Sequence, residues 1–216
     1  MKKLAAAVLD LLYPPRCMLC HRLLPDSKEP ICSDCAGILL RQQPPIRRTN
    51  GRIFSVSPYA YEEPLRGSLH RFKFGGRTFY SREFARWMAA CLRQTVTDSF
   101  DLITWVPVSL LRRWSRGYDQ SELLCRELSG ILGLPMARTL RKIRNNPPQS
   151  GTDSASCRKR NVRGVYRTAS RCDLRGKSVL LVDDVTTTGS TLRECVKILK
   201  SAGAAQVICV TLAATV

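Results

Sequence analysis

The feature that most constrains the fold of this chain is residues 178–191, which read SVLLVDDVTTTGST. The apolar first part, residues 178–183, predicts a buried strand, and residues 190–201 predict the helix that follows it. Asp183 and Asp184 therefore lie at the carboxyl end of a strand, where open α/β sheets bind ligands. The backbone N–H groups of a loop that enters a helix converge on one point and attract an anion. The run thus predicts an anion site at the edge of a parallel sheet.

The two carboxylates indicate which kind of anion this is. They would repel a phosphate, so we expect them to bind the hydroxyl groups of a ribose and to steer Mg²⁺ through those hydroxyls. Gly189 lets the backbone approach a phosphate closely, and the neighbouring hydroxyls add donors. A simpler alternative is a threonine-rich turn in which Ser190 caps the helix. The run has neither the G-x4-GK[ST] nor the G-x-G-x-x-G pattern of other nucleotide loops, which favours a phosphorylated ribose.

Four cysteines near the amino terminus form two C-x2-C pairs, Cys17 with Cys20 and Cys32 with Cys35. Such pairs can place four thiolates tetrahedrally around Zn²⁺, and a short segment with few large apolar residues needs such a staple to fold. Two disulfides are the alternative, and His21 could in principle replace one thiolate. Because four sulfur ligands leave no open position, the pattern predicts a structural zinc site.

The charge balance is the outlier of the composition, with 35 Lys plus Arg against 17 Asp plus Glu and a formal net charge of +18. This predicts a polyanionic partner, either nucleic acid, a phosphorylated metabolite or both. The other cysteines are scattered, several within apolar stretches, which is typical of a reducing cytosol and predicts a cytoplasmic protein. We expect residues 1–13 to form a short amphipathic helix, not a signal peptide, because Asp10 interrupts their apolar run. No segment has the ~20 apolar residues that span a bilayer.

The order of predicted elements divides the chain into an N-terminal helix and zinc-binding module, residues 1–44, and a larger α/β domain, residues 45–216. The Pro/Arg-rich residues 42–52 are predicted to be a linker. Beyond it, strands alternate with helices, which predicts a Rossmann-like parallel sheet with right-handed crossovers. The predicted strands are residues 53–61, 101–108, 178–183 and 206–212, and the predicted helices are residues 63–72, 82–93, 120–132 and 190–201.

These motifs together resemble those of one protein family. VLLVDDVTTTGST is similar to the signature with which type I phosphoribosyltransferases bind phosphoribosyl diphosphate (PRPP). The four-cysteine head, LHRFKFGG at residues 69–76, VPVSLLRRWSRGYDQ at 106–120 and CRKRNVRGVY at 157–166 extend the resemblance, to the ComF family, over nearly the whole chain. That resemblance implies a type I phosphoribosyltransferase fold with a zinc module, and an association with DNA uptake in natural competence.

The resemblance also implies where PRPP would bind. Asp183 and Asp184 would contact the ribose hydroxyls as catalytic carboxylates. The signature from Val182 onward would hold the 5′-phosphate through Thr186, Thr187, Thr188, Gly189, Ser190 and Thr191. Val108 and Ser109 would form the pyrophosphate loop, aided by Arg112, Arg113 and Arg116. The hood that closes over PRPP would be residues 145–163, with Gln149, Arg158 and Asn161. The family's Arg-Gly-Phe-Asn-Gln is here RGYDQ, residues 116–120.

The segment around LHRFKFGG adds two candidate features. His70 and Lys73 lie one helical turn apart and could face one ligand, with Lys73 near a diphosphate. The alternative is a solvated basic helix end that complements the helix dipole. Arginines also interleave here with the aromatic residues Phe72, Phe74, Phe79 and Tyr80. Such mixing suits single-stranded nucleic acid, although phenylalanines at helical spacing also build cores.

Three functions fit these features. In an active phosphoribosyltransferase a nucleophile displaces diphosphate from C1′ of PRPP with Mg²⁺, which needs positioning, charge neutralisation and a closed hood. A DNA-uptake protein would keep the PRPP site and use its positive surface and zinc head to handle single-stranded DNA, or to contact a competence helicase or another DNA-processing protein. A salvage enzyme for nucleotides or bases is the third. The resemblance favours the second role, with PRPP binding retained.

Overall fold

The computed structural model describes residues 14–25, 29–42, 45–50, 53–144, 164–169 and 173–215. The strands in these segments are β1 Ile46–Asn50, β2 Ile53–Ser57, β3 Tyr59–Ala60, β4 Leu102–Trp105, β5 Leu140–Lys142, β6 Tyr166–Thr168, β7 Ser178–Thr186 and β8 Gln206–Ala214. The helices are α1 Ser33–Arg41, α2 Leu65–Phe74, α3 Tyr80–Thr95, α4 Leu110–Arg116, α5 Gln120–Leu132 and α6 Ser190–Ser201. The predicted helix at residues 1–13 and the predicted hood at 145–163 lie outside the described residues.

A mixed, mostly parallel sheet organises the larger domain. Its strand order is β1-β2-β8-β7-β4, and β3 also pairs with β8. Strand β8 is parallel to β7 and β2, and β4 is parallel to β7, whereas the edge strand β1 is antiparallel to β2. The middle strands β7 and β8 are apolar and largely buried, as parallel strands covered on both faces must be. The predicted α/β fold with a parallel sheet is thus confirmed, with one antiparallel edge.

Alternate residues of β7 point into two separate cores, as the pleat of a strand requires. Leu180 and Val182 pack in the core that contains the buried side chains of α2, α3 and α5. Val179 and Leu181 pack in the core that contains the buried face of α6. Two layers of helices therefore hold β7 rigidly, and its carboxyl end carries Asp183 and Asp184.

The cysteine module packs on the first of these cores. Cys17, Met18 and Leu19 are buried in the same cluster as Phe72 of α2 and Tyr80 of α3. The chain around them makes few regular backbone bonds: the described part before α1 contains an isolated bridge and turns. Its place in the fold therefore depends on side-chain packing and on its own cysteines.

The predicted element boundaries differ from the structure where local propensity is a weak guide. Helices α5 and α6 have the predicted bounds, whereas the strand predicted at residues 53–61 is divided into β2 and β3 at Pro58, which has no N–H to donate. The linker prediction for residues 42–52 is wrong in part, because the polar stretch at its centre forms the edge strand β1. An edge strand has one neighbour, so it needs no apolar alternation. No helix in the described segments is long and apolar enough to cross a membrane.

Candidate functional site

The two aspartates at the end of β7 are held by contacts from two helices. Asp183 accepts hydrogen bonds from the Ser121 hydroxyl of α5 and from the Asp184 backbone N–H, both at 2.9 Å. The Asp184 carboxylate pairs with the Lys73 ammonium of α2 at 2.9 Å, and these two side chains are only 15% and 21% exposed. The carboxylates predicted to meet ribose are therefore fixed in orientation, and Lys73, which was predicted to lie near a diphosphate, is paired with Asp184.

The electrostatics of this pair favour a ligand that brings hydroxyls and positive charge. Burial, together with the neighbouring charge of Asp184, raises the pKa of Asp183 to about 7, against the opposing effects of the Asp184 backbone N–H, the Ser121 hydroxyl and Lys73. An ionised Asp183 is therefore costly without a donor. Ribose hydroxyls would supply such donors, because an ionised carboxylate can only accept.

The loop after the aspartates is shaped as an anion cradle. Gly189 adopts φ 68°, a left-handed conformation that favours glycine, and precedes α6, where no side chain caps the helix. The hydroxyls of Thr188 and Ser190 lie 2.8 Å apart, and Arg193 donates to the Ser190 hydroxyl at 3.1 Å. The start of α6 is thus surrounded by donors, which is the environment that a phosphate at a helix N-terminus needs.

Two arginines contact this loop, one from β1 and one from α6, and neither was predicted. Arg48 of β1 donates to the Thr187 carbonyl at 2.8 Å, and Arg193 lies in the first turn of α6. Together with Thr186 and Gly189 they line a cavity of about 40 Å³. The two guanidinium groups add positive charge beside the loop where the 5′-phosphate is predicted to bind.

The predicted pyrophosphate loop begins α4. Ser109 is buried and caps α4 by accepting from the Arg112 backbone N–H at 3.4 Å. The Val108 backbone N–H donates to the Asp119 carboxylate at 2.9 Å. Asp119 also accepts from the Glu122 backbone N–H at 3.2 Å and so caps α5. Aspartate at this position of RGYDQ therefore has a clear role, and burial raises its pKa.

The RGYDQ segment also fixes the end of α2. Tyr118 donates its hydroxyl to the Phe72 carbonyl, and Gln120 donates to the Lys73 carbonyl at 3.3 Å. Arg116 donates to the Gln120 side chain at 2.9 Å. Lys73 is thereby positioned towards Asp184. His70 instead lies exposed against the Phe74 ring, with centroids 4.8 Å apart, and is not part of this site.

Lys142 is a further cation near the aspartates that the sequence did not single out. It lies on β5, half-buried, with its ammonium 5.5 Å from the centre of the Tyr166 ring. Burial and the charge of Arg112 lower its pKa, whereas Asp183 raises it. The only signal in the sequence was its place in a basic stretch, which does not distinguish one lysine from its neighbours.

The four cysteines form one compact cluster. Their sulfur atoms all lie within 4.8 Å of one another, and those of Cys20 and Cys32 are 3.7 Å apart. A tetrahedral zinc site with Zn–S bonds of about 2.3 Å has sulfur atoms about 3.8 Å apart, whereas a disulfide needs about 2.05 Å. All four cysteines are free. The geometry therefore fits structural zinc and not the disulfide alternative, and His21 is not in the cluster.

Arg71 connects this cluster to the aspartate site. Its guanidinium donates to the carbonyls of Met18 and Leu19, at 3.0 and 2.5 Å, within the first C-x2-C turn. Arg71 lies on α2 two residues before Lys73. A single helix therefore touches the cysteine module and the PRPP-type site at the same end.

Comparison with known proteins places both parts in named families. The phosphoribosyl transferase domain family matches residues 119–215, and the double zinc ribbon domain family matches residues 8–62. Among solved structures, a Bacillus subtilis glutamine PRPP amidotransferase is 27% identical with a TM-score of 0.40; the match covers 60% of this chain and 26% of that longer chain. The two family matches, the mostly parallel sheet and the cysteine cluster together define a type I phosphoribosyltransferase domain joined to a zinc ribbon.

Curated relatives identify the family more narrowly. The DNA utilization protein YhgH of Salmonella typhimurium is 32% identical over 91% of this chain and 96% of its own length. Competence protein F of Haemophilus influenzae is 30% identical over 89% of this chain and 93% of its own length. Competence protein ComFC of Bacillus subtilis is 28% identical, covering 88% and 73%. The chain belongs to the ComF family.

Proposed function

We propose that this protein binds PRPP at the end of β7 and assists the handling of single-stranded DNA in natural competence. The observation that carries the PRPP part is the juxtaposition of two oriented carboxylates, Asp183 and Asp184, with the N-terminus of α6, where the N-cap residue Gly189 has no capping side chain. A phosphorylated ribose matches this combination, because it presents both hydroxyls and a phosphate. The free, scattered cysteines of the described residues support a reducing, cytoplasmic setting.

Each residue has a defined part in this proposal. The carboxylates of Asp183 and Asp184 accept from the ribose hydroxyls, and the loop Thr186–Thr191 holds the 5′-phosphate at the start of α6. Lys73 leaves Asp184 for the diphosphate, because the ribose hydroxyls replace it as the carboxylate's partner. Mg²⁺ would supply neutralisation of charge on the diphosphate, and Asp183 and Asp184 would hold the ribose hydroxyls in place for it.

The DNA part of the proposal is supported by charge and by the relatives. A formal net charge of +18 attracts a polyanion over long distances. Relatives that match nearly the whole chain bear the names DNA utilization protein and competence protein. We propose single-stranded DNA as the partner, together with a competence helicase or another DNA-processing protein.

An active phosphoribosyltransferase in base or nucleotide salvage is the second candidate. The observation in its favour is that the carboxylates, the loop and Lys73 are all arranged together, although DNA handling alone would not need them. Release of diphosphate from PRPP in the presence of candidate acceptors tests this function. Because positioning alone supplies much of such catalysis, the same site serves both candidates.

Calorimetric titration with PRPP and Mg²⁺ tests the site. We expect saturable binding by the wild type and at least a ~100-fold loss in the double variant Asp183→Asn, Asp184→Asn, because hydrogen bonds to charged groups contribute about 1.5–3 kcal/mol each. Asp173→Asn, an exposed aspartate paired with Arg175, is the matched control and should bind normally. Absence of wild-type binding would overturn the assignment.

Titration of labelled oligo-dT tests the DNA partner. If phosphate contacts dominate, the affinity falls steeply between ~50 and ~200 mM salt. An affinity that is independent of salt would contradict direct binding to the DNA backbone.

A further inference from the structure

Helix α4 turns apolar side chains outward. Leu110 and Leu111 are 66% and 67% exposed, and Trp114 is 86% exposed, the most of any large apolar residue described. No residue of α4 is buried. The helix is held by its ends, through the Ser109 cap and Gly117 with φ 79°, and its apolar side chains contribute little to its own packing. Exposed aromatic and aliphatic side chains grouped in this way are typical of an interaction site.

The same helix is strongly basic. Arg112, Arg113 and Arg116 lie on it and no acidic residue does. Arg113 pairs with Glu122 of α5 at 3.3 Å, whereas the guanidinium of Arg116 lies 4.5 Å from the centre of the Phe74 ring. Phe74 ends α2 and is itself 59% exposed. We call this set the Trp114 surface, and it comprises Phe74, Leu110, Leu111, Arg112, Trp114 and Arg116.

The residue types of the Trp114 surface indicate which class of ligand it binds. A polyanion with accessible apolar faces would contact both the apolar and the basic residues of this surface, because bases stack on aromatic rings and phosphates contact arginines. Duplex DNA presents its phosphates but hides the faces of its bases, and an acidic protein partner would leave the net charge of +18 elsewhere on the chain without a role. Single-stranded nucleic acid fits best.

We propose that the Trp114 surface is the place where this protein binds single-stranded DNA, with a base stacked on Trp114 and neighbouring phosphates on Arg112 and Arg116. This inference rests on the proposed function and assigns it a location. Since α4 starts at the predicted pyrophosphate loop, the bound strand lies next to the PRPP site. The two ligands then share the cation Arg116, whose pKa is lowered by burial and by Arg112 against the opposing charge of Asp184.

Fluorescence and anisotropy with oligo-dT test this location. Trp87 is half-buried and Trp105 buried, so stacking on Trp114 should quench most of the quenchable tryptophan emission. We expect Trp114→Ala to weaken binding about tenfold, as base–aromatic stacking predicts, and Trp114→Phe to keep most of the affinity. Arg112→Ala should lower the salt slope by about one. Leu40→Ala, a large apolar residue of α1 that is 72% exposed and lies outside the Trp114 surface, is the matched control.

The outcomes separate this inference from the proposed function. If wild type binds oligo-dT with a steep salt dependence and Trp114→Ala binds equally well, the Trp114 surface is not the DNA site, although the proposed function stands. If wild type does not bind oligo-dT, the DNA part of the proposed function fails and this inference fails with it. PRPP affinity and thermal unfolding of Trp114→Ala should equal those of wild type, because the side chain is exposed.

Discussion

The cysteine module and the phosphate loop, the two candidate ligand sites, obtain their shape in opposite ways. Cys17 and Cys20 lie at a turn and Cys32 and Cys35 at the start of α1, and few backbone bonds join these segments, such as Met18 N–H to the Pro30 carbonyl at 2.9 Å. The phosphate loop joins a strand paired along its whole length with β8 to a helix of 12 residues. The first site needs its metal in order to fold, whereas the sheet preforms the second before any ligand binds.

The two sites are nevertheless connected through α2. Arg71 bonds the first C-x2-C turn, and Lys73 bonds Asp184. A region that depends on metal therefore holds one end of the helix that positions a cation in the preformed site. The stability of each site should therefore depend on its own ligand and, through α2, on the other site.

Removal of zinc should have the largest effect. Structural zinc contributes on the order of 10 kcal/mol to the folding of small metal modules. We expect a strong chelator, or Cys20→Ser, to unfold the module and lower the thermal unfolding temperature markedly. Thr188→Ala in the phosphate loop should change it by no more than a few degrees. Metal analysis measures the zinc content and calorimetry measures the unfolding temperature of each variant. Equal shifts in unfolding temperature for Cys20→Ser and Thr188→Ala would contradict the difference between the two sites.

Substitution of Arg71 should affect both sites. Arg71→Ala removes two charged donors from the Met18 and Leu19 carbonyls, and we expect a loss of about 2–3 kcal/mol in unfolding free energy. It should also weaken PRPP binding several-fold through the position of Lys73. Arg66→Ala, an exposed arginine of the same helix paired with Glu63, is the control. A destabilised variant with unchanged PRPP affinity would show that the sites are independent.

The free energy of unfolding should depend on pH, because burial raises the pKa of Asp183 in the folded state. Because the folded pKa of Asp183, about 7, lies above its ordinary value, the folded state retains a proton that the unfolded state has lost. The stability from this group is present below pH ~4 and is lost as pH rises through ~7. Wild type should lose on the order of 1–2 kcal/mol relative to Asp183→Asn between pH 5 and 8 in urea unfolding. Parallel pH profiles would contradict this.

The smallest effect concerns the turn of the loop. Gly189→Ala places a side chain at φ 68° and should cost about 1–2 kcal/mol of stability. Gly130→Ala, in the interior of α5 with no atom within 4 Å of the added carbon, should instead stabilise by about 0.5–1 kcal/mol. Urea unfolding of both variants compares them. A gain in both would mean that the loop is not rigidly preformed.

The local elements of this fold were largely predictable from the sequence. Helix α5 begins at its capping aspartate and ends at Gly133, and the strand before Asp183 is a continuous apolar run, so both carry strong local signals. Helix α4 was not predicted, because its apolar residues face solvent and therefore do not form the core-facing pattern that identifies a helix. The edge strand β1 was assigned to a linker because its residues are polar.

The contacts that complete the site were not predictable, since they join distant parts of the chain. Ser121 and Asp183 are 62 residues apart, and Arg48 and Thr187 are 139 apart. Arg71 and Met18 are similarly joined only by the fold. Composition showed many arginines, but only the tertiary structure distinguishes those that bond the loop or the cysteine turn from those that face solvent. Lys73 was singled out because a recognised motif contained it.

A crystal structure of the protein with PRPP and Mg²⁺ would test most directly whether PRPP binds at the end of β7. We expect the 5′-phosphate to lie within hydrogen-bonding distance of the backbone at Thr187–Ser190. We expect the ribose hydroxyls to contact Asp183 and Asp184, and the Lys73 ammonium to have moved from Asp184 to the diphosphate. PRPP bound elsewhere, or a 5′-phosphate away from the start of α6, would contradict it.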